Sequence, residues 1–158
     1  MGNPTPGFDV YNVGHRGYFG IGICGGKTAA NVGTLWRTAY QLGASFIFTA
    51  GARYPKQASD TVKAQRHIPL YQYGGADDLS WPTDCVPIAI EMGGRPLQDF
   101  THPERAVYFL GAEDNGLPRW ALERCAHTVS LPALRTQSFN VAVAGALVMY
   151  DRLTKQHK

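Results

Sequence analysis

A chain of 158 residues is long enough for one domain with a real core, and 44% hydrophobic with 17% charged residues is ordinary for a globular protein. The formal net charge of +3 permits nucleic acid as a partner without demanding it. No apolar run approaches the length of a membrane span and no signal peptide is visible, so a cytoplasmic protein without membrane contact is expected. Cys24, Cys85 and Cys125 are isolated among apolar neighbours, and the five histidines are equally scattered. Reduced core thiols and no metal site are the reading.

In chain order, residues 1–16 are rich in Gly, Pro and Asn and read as an irregular lead-in to a single domain over residues 17–158. Tyr18 to Cys24 is an apolar run of strand type. Ala29 to Leu42 has helical spacing, with Leu35, Ala39 and Leu42 on one face and Gly43 as the stop. Phe46 to Phe48 reads as a buried strand, and Ala52 to Pro69 as an exposed basic loop. Leu70 to Tyr73 suits an edge strand, and Ala76 to Leu79 a short helix. Val86 to Ile90 and Ala106 to Leu110 are strands, each followed closely by glycine. Arg119 to Cys125 is a short helix after Pro118, and Thr128 to Leu131 the last strand. Pro132 ends it, a polar bend follows, and Ser138 stands where the N-cap of a C-terminal helix belongs, with Asn140 two positions on. Strands alternating with helices, several strands apolar throughout, predict an α/β fold with a mostly parallel sheet flanked by helices.

Ligands of such sheets sit at the carboxyl ends of the strands. Three of those ends are polar or glycine-rich: Glu91 to Gly94, Gly111 to Gly116, and the bend before Ser138. Gly111 and Gly116 flank Glu113 and would allow close backbone approach to a ligand. Two familiar patterns fail on context. Gly20-Ile21-Gly22-Ile23-Cys24-Gly25 matches a dinucleotide fingerprint as letters, but lies mostly inside a strand rather than after it. Gly26-Lys27-Thr28 resembles the end of a P-loop, but position 21 is Ile where Gly is required. A nucleotide-binding P-loop protein stays open on that tripeptide alone.

More specific is the series Asn31-x-Gly33-x-x-x-Arg37-x-Ala39, then Gly111-Ala112-Glu113-x-x-Gly116-Leu117, then Leu131-Pro132 followed by Ser138-x-Asn140-Val141. In order and approximate spacing these resemble the three motifs of the SpoU (TrmH) family of the SPOUT superfamily of RNA methyltransferases, over about Tyr18 to Arg152. The resemblance implies a C-terminal trefoil knot, S-adenosylmethionine as cofactor with S-adenosylhomocysteine as product, and methyl transfer to a ribose 2′-hydroxyl of tRNA or rRNA. It places Arg37, Asn31, Glu113, Ser138 and Asn140 in the catalytic set. It places Ile90, Glu91, Gly111, Gly116, Leu131 and Ser138 against the cofactor. A homodimer is implied, with Val141, Ala144, Gly145 and Val148 of the last helix in its interface. The chain also resembles the small TrmL-like members, which act on the tRNA wobble ribose without an added N-terminal RNA-binding domain. RNA affinity would then come from Arg37, Lys56, Lys63, Arg66 and Arg135, with Arg152, Lys155 and Lys158. The segment between Leu131-Pro132 and Ser138 is one residue shorter than the family's common pattern and lacks its usual Gly, so the register of that bend is open.

The chemistry needs alignment with a sulfonium methyl and removal of a hydroxyl proton, but no metal. A guanidinium titrates above about 12, so Arg37 suits holding a phosphate bidentately and polarising the hydroxyl better than acting as base. Methylation of rRNA instead of tRNA, and a non-catalytic knotted RNA-binding module, are the alternatives.

Overall fold

A computed structural model describes residues 17–25, 29–51, 67–112, 116–135 and 138–155. The elements are β1 (Tyr18–Cys24), α1 (Ala29–Gln41), β2 (Phe46–Ala50), β3 (Leu70–Tyr73), β4 (Val86–Pro96), a 3-10 turn (Leu97–Asp99), β5 (Arg105–Gly111), α2 (Arg119–Arg124), β6 (His127–Ser130) and α3 (Val141–Lys155). The six strands lie in the order β3-β2-β1-β5-β4-β6 and every strand pairing is parallel. The expectation of a mostly parallel sheet is met in its strict form. Parallel strands share one direction, so their carboxyl ends, and the loops that follow them, gather along one edge.

Side-chain alternation explains how β1 became the centre. Phe19, Ile21 and Ile23 face one side, where α1 and α3 cover a core that includes Leu35, Ile88, Tyr108, Leu110 and Val148. Gly20 and Gly22 face the other, where a Cβ would stand 2.1 and 2.4 Å from ring carbons of Phe46 and Phe48. The glycines that imitate a dinucleotide fingerprint thus make room for two phenyl rings on the neighbouring strand. Trp81, Leu117 and Ala121 close this second face. Gly26 to Thr28 and the lead-in 1–16 lie outside the described residues. Among the described residues, no helix is long and apolar enough to cross a membrane.

Several local expectations need correction. Residues 76–79 form a turn rather than a helix, because Asp78 accepts hydrogen bonds from the Gly74 and Gly75 amides at 2.8 and 2.9 Å. β4 does not stop at Ile90: the strand runs to Pro96, and both Ile90 and Arg95 stand opposite Val129. Glu91 to Gly94 are the surplus between those two pairings. The last helix is capped by Asn140, not Ser138, since Asn140 Oδ1 accepts from the amides of Ala142 at 2.9 Å and Val143 at 3.2 Å. α3 also turns a different face outward. Val141, Ala144, Gly145 and Val148 are buried, and a Cβ on Gly145 would meet Leu35 Cδ1 at 2.6 Å. Its exposed stripe is Val143, Leu147 and Tyr150, at helical spacing.

Candidate active site

A cavity of about 580 Å³ opens beside the irregular Ile90–Gly93 stretch of β4, where β5 and β6 end and α3 begins. Ile90, Leu110, Leu131, Val141 and Ala144 give it an apolar lining. The six residues assigned to a cofactor from sequence, Ile90, Glu91, Gly111, Gly116, Leu131 and Ser138, all line this one cavity, as does Arg135. Met92, within the Glu91–Gly94 strand end singled out from sequence but not assigned to the cofactor, and Phe139, not named at all, line it too. Each is a large apolar residue left partly exposed, Met92 at 71% and Phe139 at 36%. Their signal was adjacency, since each follows a named site residue directly.

The two glycines at the cavity also let the chain pack against itself. A Cβ on Gly111 would lie 2.3 Å from the carbonyl carbon of Gly116, because the chain returns to rest on Gly111 itself. Gly116 has φ +66°, and its Cβ would stand 2.6 Å from Glu91 Oε2. Both glycines therefore allow the protein to approach itself. Glu91 Oε2 accepts from the Leu117 amide at 2.8 Å and Oε1 from the Met92 amide at 3.1 Å. Glu91 supplies the only carboxylate, and Arg135 the only guanidinium, among the described lining residues.

The remaining candidates divide by position. Asn140 Nδ2 donates to Asn31 Oδ1 at 3.1 Å, which ties the first turn of α1 to the cap of α3 across 109 positions. Arg37 is exposed on α1, away from the helix's buried stripe of Val32, Leu35, Trp36 and Ala39, and does not line the cavity of its own chain. Ser138 is exposed at the cavity wall. Glu113, Lys56, Lys63, Arg66 and Lys158 lie outside the described residues.

Two basic residues must be removed from the proposed RNA-facing set. Arg152 is 1% exposed, donates to the Pro103 carbonyl at 2.6 Å, the Glu104 carbonyl at 2.8 Å and the Tyr108 hydroxyl at 3.0 Å, and lies over the Phe19 ring. Lys155 donates to the carbonyls of Leu97 and Phe100 and pairs with Asp151 at 2.8 Å. Both hold α3 to the chain before β5. All three cysteines are free, and burial pushes the Cys24 and Cys125 thiols up to about 12, which keeps them protonated at neutral pH. Among the described residues no group of three or more His, Cys, Asp or Glu is placed to hold a metal ion.

Comparison with known proteins agrees with this geometry. The model of the SpoU rRNA Methylase family matches residues 21–150. An uncharacterized tRNA/rRNA methyltransferase of Mycobacterium bovis is 31% identical over 143 residues, covering 80% of this chain and 49% of that protein. The chain thus spans about half the length of the curated relatives it matches. Its fold is similar to that of the SpoU methyltransferase AviRb from Streptomyces viridochromogenes in complex with AdoMet, with a TM-score of 0.79 at 23% identity over 94% of this chain and 64% of that one. It is also similar to a structure described as informing 2-OH methylation of C/U34 on tRNA, with a TM-score of 0.75 at 20% identity over 89% of this chain and 99% of that one.

Proposed function

Since the chain belongs to the SpoU family of RNA methylases, we propose that it transfers a methyl group from S-adenosylmethionine to a ribose 2′-hydroxyl of tRNA, as a cytoplasmic homodimer. The observation that carries this reading is one cavity, beside the irregular stretch of β4 and the ends of β5 and β6, which gathers residues of the second and third motifs. Its size falls within the roughly 300–1,000 Å³ range of small-molecule sites. Apolar walls suit a purine, and a carboxylate suits a cation. The residues present therefore fit the cofactor. When bound, S-adenosylmethionine supplies an electrophilic methyl group on a sulfonium centre.

The chain's own residues would do the rest. Ile90, Leu131 and Val141 exclude water from the cofactor's apolar part, and Gly111 and Gly116 let the second loop close against β4. Arg37 would hold an RNA phosphate with its fork and polarise the hydroxyl to be methylated. Its exposure, and its absence from the cavity of its own chain, favour a site completed by a second copy. The apolar stripe Val143, Leu147 and Tyr150 offers that copy a surface beside α1. Leu147→Asp should convert a dimer to monomers in sedimentation experiments; an unchanged mass would reject this face.

The decisive experiment offers labelled S-adenosylmethionine with total tRNA and, separately, rRNA, then digests the RNA to locate the label. Ribose label on tRNA is expected. Label on rRNA alone would move the substrate, label on a base would overturn the chemistry, and cofactor binding without transfer would favour an RNA-binding module. Arg37→Lys keeps the charge but loses the fork, so turnover should fall roughly 100-fold. Unchanged turnover would remove Arg37 from its role.

A further inference from the structure

Two walls of the cavity belong to segments well apart in sequence, the irregular stretch of β4 around Glu91 and the residues Gly111, Ala112 and Gly116 beyond β5. The Gly116 amide donates to the Ala112 carbonyl at 3.0 Å. The hydrogen bond to β4 comes from the Leu117 amide to Glu91 Oε2, at 2.8 Å. Gly116 has no Cβ in the space where that carboxylate stands. We propose that Glu91 is a positioning residue for the cofactor: its carboxylate fastens Gly116 and Leu117 to β4, and its charge makes the pocket prefer a cationic sulfonium to the neutral thioether left after transfer. This rests on the cofactor assignment above.

The two parts of the proposal are physically separable. The fastening needs only an acceptor oxygen at the Leu117 amide, which an amide side chain also has. The preference needs the negative charge, which acts on a ligand in the same cavity without direct contact. A sulfonium carries one more positive charge than the thioether product, and the two are otherwise nearly alike. A pocket that discriminates between them by charge would release product more readily than it releases substrate.

The test is calorimetric titration with S-adenosylmethionine and with S-adenosylhomocysteine, together with hydrogen exchange at the Leu117 amide, on the full chain. Glu91→Gln should keep Leu117 protected yet reduce the ratio of the two affinities roughly 5–10-fold against the cationic ligand. Gly116→Ala keeps the charge but pushes a methyl into the carboxylate's position. It should speed Leu117 exchange and weaken both ligands together, with little change in their ratio. A merely structural glutamate would alter exchange and melting temperature but leave the affinity ratio of the Gln variant at the wild-type value; that result overturns the proposal. Failure of the wild type to bind either ligand would overturn the cofactor assignment and this inference with it. Normal wild-type binding, with both variants indistinguishable from it, would overturn this inference alone.

Discussion

The two ends of α3 are held in contrasting ways. At its start, beside the cavity, one exposed asparagine caps the helix with Oδ1 and reaches α1 with Nδ2. At its other end, Arg152 is buried against two carbonyls and the Tyr108 hydroxyl, and Lys155 binds two further carbonyls. Between them Asp151 accepts from His102 Nε2 at 2.7 Å, and His102 Nδ1 lies 2.7 Å from the Tyr108 hydroxyl. Most of the polar bonding energy of the helix is therefore placed at the end remote from the ligand. Such a division leaves the cavity end free to be built from loops, where binding and catalysis need adjustable backbone.

Removing Arg152 is the most forceful way to break this contrast. Arg152→Met should cost about 3–4 kcal/mol, because a buried hydroxyl and two carbonyls lose their donor and Phe19 loses its cation. The melting temperature would fall by roughly 10 °C. Asn140→Ala should cost only about 1 kcal/mol, the usual value of an N-cap, yet reduce methyl transfer more than Arg152→Met does in the molecules that remain folded. Thermal melts and transfer rates on the two variants settle the matter. Equal stability losses would show that the two ends are not divided as described.

How far the sequence revealed this is best seen in individual residues. The span Tyr18–Cys24 was legible because apolar residues alternate with glycine, and the first helix because its apolar spacing ends at Gly43. The cavity residues were legible through motif order, which carries information about contacts that local periodicity lacks. The choice of Asn140 over Ser138 as cap was not, since both residue types serve as caps; contact with Asn31, 109 positions away, accompanies the one observed. The short helix expected over Ala76 to Leu79 failed for a similar reason, because the side chain of Asp78 bonds the Gly74 and Gly75 amides as an acid does in a turn. Arg152 was misjudged as a surface cation by its charge. Its spacing held the correction, since it continues the buried series Gly145, Val148 and Met149 by one helical turn. Charge was allowed to outweigh periodicity. The acceptors that make such burial tolerable come from Pro103, Glu104 and Tyr108, which no local window contains.

The mildest probe sharpens the contrast by acting on one end alone. Tyr108 OH accepts from Arg152 and donates to His102 Nδ1, so Nε2 carries the ring proton toward Asp151. The Tyr108 hydroxyl and the His102 ring both have acceptors for their hydrogens only while the imidazole is neutral. A second proton would point a donor at Tyr108, which is fully buried and whose hydroxyl, pushed up to about 12 chiefly by burial, keeps its own hydrogen. Burial lowers the His102 pKa below its ordinary 6.5, Arg152 and Lys155 lower it further, and Asp151 opposes them without prevailing. The unfolded chain therefore binds the extra proton more readily than the folded one. Stability from this site is complete above about pH 6.5 and is lost as pH falls through the lower folded value. Asp78, held below the ordinary 3.8 by the Gly74 and Gly75 amides, loses its contribution only in a more acidic window. His102→Gln should be less stable than wild type at pH 8 but show a flatter melting temperature between pH 5 and 7. Hydrogen exchange in the wild type should rise first in the last turn of α3, while the Asn140 end stays protected. Loss of protection at both ends together would mean that the helix detaches as a unit, and that the chemical difference between its ends has no mechanical consequence.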